Sequence, residues 1–255
     1  MKGPVVLLTD FGLSDHYVGV MKGVILTRVP EAVLVDLTHA IPPQDIRAAA
    51  YELLVSYRYF PRGSVFVCVV DPGVGTERRA LVLRAADRFF VGPDNGLFTL
   101  VLSEDPEAEV RAVEVERFLL PRASRTFHGR DLFAPLAAEI LRGRPLEEFG
   151  PVISDPVLLE FPRPEPRPGG LRVPVLRVDG FGNLILSVKQ EELSGRSFRV
   201  SVAGREVPLV STYAEVPPGA PLALWGSDGF LEIAVNQGSA EELFGRSPEI
   251  LLLWK

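Results

Sequence analysis

The chain has 255 residues, with 27 Lys+Arg against 33 Asp+Glu and a formal charge of −6. Its single cysteine, Cys68, excludes an intrachain disulfide and a cysteine zinc site. Mild acidity without a Lys/Arg run argues against a dedicated DNA binder. The apolar stretch after Met1-Lys2 is too short for a signal peptide. No window approaches the ~20 apolar residues of a membrane span. A cytoplasmic protein with no nucleic-acid or membrane partner is expected. Arginine makes up 23 of the 27 basic residues and glutamine and asparagine occur three times each, a balance that suits a thermophilic source or a GC-rich genome equally.

In chain order, Val5 to Leu8 is a short apolar run of a buried strand, and Thr9-Asp10-Phe11-Gly12 ends it. Tyr17 to Arg28 has helical spacing. Ala32 to Leu37 is a second strand, and Ile46, Ala49, Ala50, Leu53 and Leu54 mark an amphipathic helix. Ser64 to Val70 is a third, strongly apolar strand. Strand-like pieces follow from Ala80 to Val101, and Asp131 to Arg142 is again helical. Alternating elements predict an N-terminal α/β domain (1–160) with a mainly parallel sheet.

Residues 161–170 hold four prolines and two glycines, which cannot continue a helix or a central strand. They read as a linker. Beyond it, Leu171–Val178, Leu184–Val188, Phe198–Val202, Leu222–Trp225, Phe230–Val235 and Ile250–Trp254 are short strands between Gly/Asp/Asn/Ser turns. Their spacing predicts a smaller all-β domain (171–255), a barrel or a sandwich.

Three segments could carry chemistry. Asp10 follows a strand, where a carboxylate can accept both ribose hydroxyls or merely cap a turn. Asp71 enters a Pro-Gly-Val-Gly loop, and Arg78 lies seven residues on, able to fold back onto it. The loop lacks the Gly-Lys-Ser/Thr ending of a phosphate loop; a surface ion pair on a tight turn is the plain alternative. His128, in Thr126-Phe-His-Gly-Arg-Asp131, precedes a helix and suits proton transfer, or packing alone. His39 can orient a loop. No His-x-x-x-His or His-x-x-Glu-His spacing exists, so no metal is expected. In the C-terminal part, Asp179-Gly-Phe-Gly-Asn183, Tyr213, Ser227, Asn236 and Gln237 are explicable as hairpin turns. Together they also offer amides, a hydroxyl and an aromatic face for a nucleoside and an amino acid.

Six motifs run in the order of one family: Thr9-Asp10-Phe-Gly, Asp36-Leu-Thr-His39, Val70-Asp71 through Arg78, Gly92-Pro-Asp-Asn-Gly96, Thr126 to Asp131, and Asp179 to Asn183. Over nearly its whole length the chain resembles the S-adenosyl-L-methionine (SAM) hydroxide adenosyltransferases, relatives of the fluorinating and chlorinating enzymes that use the same substrate. The resemblance implies two domains and a homotrimer whose site lies between one subunit's N-terminal and a neighbour's C-terminal domain. It implies hydrolysis of SAM to adenosine and L-methionine, with SAM as substrate. It places the catalytic set on Asp71, Arg78 and His128 and ribose binding on Asp10. Asp179 and Asn183 would hold the methionine amino end, Ser227 its carboxylate, and Tyr213, Asn236 and Gln237 would flank adenine. The halogenases carry tyrosine where Asp71 stands, and the fluorinating enzyme has serine where Gly129 stands. The Asp179 segment is one residue shorter than theirs. A halide-using transferase and a non-catalytic nucleoside binder are the alternatives.

Overall fold

The structure is a computed structural model and describes residues 3–255. It divides into two compact units, Met1–Leu159 and Glu160–Lys255.

Unit 1 is built on a six-stranded sheet of order β2-β1-β3-β5-β4-β6. Its strands are β1 (Val5–Thr9), β2 (Leu34–Thr38), β3 (Val65–Val69), β4 (Ala80–Ala85), β5 (Arg88–Pro93) and β6 (Glu109–Ala112). The pairs β1–β2, β1–β3 and β3–β5 are parallel, whereas β4 runs antiparallel to β5 and β6. The sheet is therefore only partly parallel. The central strands are apolar throughout because both faces are covered. Val5, Leu7, Val65, Val67 and Val69 face one core with Met21 and Ile25 of α1 (Tyr17–Arg28). Val6, Leu8, Phe66, Cys68 and Val70 face the other with Ala49 and Leu53 of α2 (Ile46–Ser56). Cys68 is thus a core residue, and burial pushes its thiol well above the ordinary range.

The strands expected between Ala80 and Val101 are two, β4 and β5, followed by a short helix, α3 (Thr99–Glu104). Its Val101 is buried in the second core, so an apolar run too short to show helical periodicity is helical by packing. The helix expected from Asp131 begins as a π-helical turn at Gly129–Phe133 and continues as α4 (Ala134–Leu141).

Unit 2 holds two open antiparallel sheets. One has order β13-β14-β10-β9, from β9 (Val175–Val178), β10 (Leu184–Lys189), β13 (Pro221–Trp225) and β14 (Phe230–Val235). The other has order β12-β11-β15-β8-β7, from β7 (Glu165–Arg167), β8 (Gly170–Arg172), β11 (Phe198–Val202), β12 (Arg205–Val207) and β15 (Ile250–Trp254). Both sheets contribute to one core, with Leu184, Leu186 and Ile233 from the first and Val200, Val202 and Leu252 from the second. A short helix, α5 (Ala240–Phe244), adds Ala240 to it. Among the described residues no closed barrel forms, which corrects the barrel-like expectation to two sheets over a shared core. Prolines explain part of this: Pro221 opens edge strand β13 and Pro166 sits in edge strand β7, where a missing N–H ends a ladder at little cost. The proline-rich stretch expected as linker therefore includes an edge hairpin, β7–β8.

Candidate active site

Four parallel strands deliver the motifs of unit 1. Thr9 pairs with Val69 in register, so β1 and β3 release Asp10 and Asp71 at the same edge of the sheet. β2 ends one step before His39 and β5 one step before Asp94. In open α/β sheets the carboxyl edge is where ligands bind. Here it forms a cavity of about 440 Å³ lined by Asp10, Phe11, Tyr17, Gln44, Asp71, Thr126, Phe127 and His128, among others.

Arg78 organises its inner wall. Its Nε lies 3.0 and 3.1 Å from the two oxygens of Asp71, and its Nη2 forms a further short bond to Asp71 Oδ2. The same Nη2 donates to Nδ1 of His128 at 2.9 Å. The Asp71 and Arg78 side chains are only 5% and 10% exposed, so this ion pair is shielded from water. Guanidinium has no acceptor. Nδ1 must therefore receive the bond through its lone pair, which leaves the ring neutral with its proton on Nε2. Burial and then the Arg78 charge push the His128 imidazole below its ordinary range, against the opposing pull of Asp71 and Asp131. The hydrogen-bond pattern and the titration direction agree.

The surrounding motifs serve this wall. Asn95 Nδ2 donates to the Val70 carbonyl at 2.9 Å, securing the residue before Asp71. Gly75 has φ +80°, and a Cβ there would lie 2.8 Å from the Arg125 carbonyl, so only glycine lets the Asp71–Arg78 loop pass that close. A Cβ on Gly129 would lie 3.0 Å from Met21 Sδ and 3.1 Å from a Phe127 ring carbon. Serine at that position would crowd both. Asp10 accepts the Gln44 N–H on Oδ2 at 2.8 Å.

In unit 2 the structure joins some of the expected residues and not others. Asp179 Oδ1 accepts the N–H groups of Phe181 and Asn183 at 2.8 and 2.9 Å, and the Asn183 amide donates to Oδ2 at 3.0 Å. Tyr213 donates its hydroxyl to Glu232 at 2.6 Å. Burial first, and then the charges of Asp179 and Asp228, raise the Glu232 carboxyl above its ordinary range despite the tyrosine bond. Ser227 approaches only its neighbour Asp228, at 3.5 Å. Asn236 spends its amide on the Val216 carbonyl at 2.7 Å, and Gln237 sits at φ +56° in the turn after β14.

Several lining residues escaped the sequence reading. Phe11, Tyr17 and Phe127 form one aromatic cluster with ring centroids 5.1–6.0 Å apart. They sit on two loops and a helix start, with no common spacing to betray them. Glu232 did leave a signal, as the one acidic residue inside the apolar strand Phe230–Val235.

These features define a chain with an α/β unit and a β unit, the first carrying a part-buried Asp/Arg/His trio at the wall of an open cavity. The chain belongs to the SAM hydroxide adenosyltransferase family: the family's N-terminal domain matches residues 5–150 and its C-terminal domain residues 173–250. It is 46% identical to the (R)-S-adenosyl-L-methionine hydrolase of Thermus thermophilus over 95% of each chain. The enzyme of that name from Salinispora arenicola is 39% identical over 94% of this chain and 93% of its own. A Nocardia brasiliensis fluorinase is 27% identical over 92% of this chain and 91% of its own. A solved structure of a Thermotoga maritima protein superposes with a TM-score of 0.89 at 36% identity, covering 98% of this chain and 99% of that one.

Proposed function

We propose that the protein hydrolyses SAM to adenosine and L-methionine by attack of water on ribose C5′. The observation that carries this reading is Arg78 bridging Asp71 and His128 at the wall of a cavity that also holds Asp10, in a chain whose relatives bear the hydrolase name. The water oxygen bonds to C5′, the C5′–S bond breaks, and its electron pair returns to sulfur as a neutral thioether. One proton is released.

Water has a pKa of about 15.7, so prior ionisation near pH 7 would cost roughly 12 kcal/mol. No single hydrogen bond covers that. Holding the water in line with C5′–S can recover about 7–11 kcal/mol. The sulfonium charge favours the incipient hydroxide further. Arg78 orients Asp71 as a hydrogen-bond acceptor for the water. His128, held neutral, presents Nε2–H as a donor and fixes the other side of the water. Asp10 takes the ribose hydroxyls. Asp179 and Asn183 take the methionine amino group and Ser227 its carboxylate, with Tyr213, Asn236 and Gln237 around adenine.

The reading needs no cofactor, because SAM is the substrate and its sulfonium is already an activated leaving group. A homotrimer acting in the cytoplasm is part of the proposal. No described helix is long and apolar enough to cross a membrane. A halide-using transferase is the weaker reading, because the anionic Asp71 repels a halide. Incubation with SAM in halide-free buffer, followed by chromatography, separates the possibilities. Adenosine in that buffer supports hydrolysis. Product only with halide supports the transferase, and no product supports a binding protein.

A further inference from the structure

We propose that His39 is a positioning residue for substrate binding: locked between Thr9 and Asp36, it holds the Asp10–Phe11 turn in the shape that receives the ribose. The identity of the ligand rests on the hydrolase reading; the lock itself does not.

His39 is 4% exposed and Thr9 fully buried. His39 Nδ1 lies 2.8 Å from Thr9 Oγ1, and Nε2 lies 2.9 Å from Asp36 Oδ1. Asp36 Oδ2 in turn accepts from Lys22 of α1 at 2.7 Å. Thr9 Oγ1 also accepts the Phe11 N–H at 3.2 Å. With the neutral ring protonated on Nε2, every group is satisfied: Nε2–H donates to the carboxylate, and the threonine hydroxyl donates to Nδ1 while receiving Phe11 N–H.

The network ties β1, β2 and α1, and the residues that follow β1 and begin α1 line the cavity. Thr9 closes β1 just before Asp10, His39 follows β2, and Lys22 lies on α1, which begins at the lining residue Tyr17. The backbone repeats the link, since the His39 carbonyl accepts Gly12 N–H at 2.8 Å. Across the same gap Asp10 accepts the N–H of Gln44, a non-glycine residue held at φ +66°. Such a conformation persists only where its surroundings enforce it. Thr9 and His39 are the buried members, with Asp36 and Lys22 nearer solvent; buried polar groups are costly unless paired, so their full pairing next to the cavity-lining Asp10–Phe11 turn points to positioning of that turn. Asp71, Arg78 and His128 take no part in the network. Its loss should therefore act on binding more than on the chemical step.

Side-chain length separates the two links. An asparagine amide reaches the place of Nδ1 and can keep the Thr9 bond, whereas a glutamine amide reaches the place of Nε2 and keeps only Asp36. Thr9→Val and His39→Gln should each raise the KM for SAM about tenfold and weaken adenosine binding equally, with kcat within about threefold of wild type. His39→Asn should recover most of the loss. The Thr9→Val/His39→Gln double variant should be no worse than either single one, because both cut one link. The proposal is overturned if KM and adenosine affinity stay within twofold of wild type, if activity falls only as thermal unfolding lowers the folded fraction, or if His39→Asn is as impaired as His39→Gln. Wild-type turnover is measured first. If wild type forms no adenosine from SAM, the hydrolase reading fails, and the lock is decided by hydrogen exchange at the Gln44 amide. Protection in wild type that is lost in Thr9→Val and His39→Gln supports it; unchanged protection refutes it.

Discussion

The two units handle their carboxylates in opposite ways. In unit 1 the buried acids are matched with arginine: Asp71 with Arg78, Asp94 with Arg79, and Asp131 with Arg130. In unit 2, Asp179 and Glu232 are satisfied by neutral donors, namely backbone N–H groups, an asparagine amide and a tyrosine hydroxyl. Unit 1 is electrostatically complete and can hold a neutral water against a fixed, uncharged His128. Unit 2 instead sets Glu232 among the like charges of Asp179 and Asp228, a surrounding that would suit the positive amino end of the proposed substrate.

The largest effect should come from breaking the trio. Asp71→Ala or His128→Ala should lower adenosine formation by about 10²–10⁴-fold in single-turnover assays, with adenosine binding largely kept. Unchanged turnover in either variant removes the residue from the mechanism. Arg78→Met strands a shielded carboxylate, which typically costs about 3–5 kcal/mol of stability, so its unfolding midpoint should drop markedly in denaturant titrations.

Unit 2 should respond differently. Glu232→Gln keeps the acceptor for Tyr213 but removes one of three crowded negative charges. Its KM for SAM should rise about tenfold, a loss of about 1.4 kcal/mol, while its thermal midpoint holds or rises. A fall in stability with unchanged KM would make Glu232 a purely structural acid and dissolve the contrast between the units.

The smallest effect is on pH dependence. His128 is held below its ordinary pKa of about 6.5, so its neutral form persists to lower pH than in a free histidine. The acidic limb of kcat/KM should therefore lie below 6.5. Protonation at lower pH puts a hydrogen on Nδ1 facing Arg78 and breaks the wall. In Arg78→Met, loss of the neighbouring positive charge should move that limb upward.

Much of this was legible in the sequence because its physics is local. α1 spans Tyr17–Arg28, as its apolar spacing requires, and β3 is apolar because both its faces are covered. Asp71 and Arg78 could be paired on paper, since a seven-residue loop with two glycines folds back easily. The bond from Arg78 to His128 could not, because it spans 50 positions and depends on the π-helical turn that begins at Gly129. α3 and the edge hairpin differ from the sequence expectation because short elements take their state from packing and sheet position. Asn236 is expected beside adenine, and Asn95 lies in a motif with no expected ligand contact. In the structure both amides bond to backbone carbonyls, those of Val70 and Val216.

The central claim is that water itself is the nucleophile. Purified protein with SAM in ¹⁸O water and halide-free buffer tests it most directly, by mass spectrometry of the products. The account predicts adenosine carrying one ¹⁸O at the 5′-hydroxyl, with an equal amount of L-methionine. Unlabelled adenosine, or product formed only when halide is added, would contradict it.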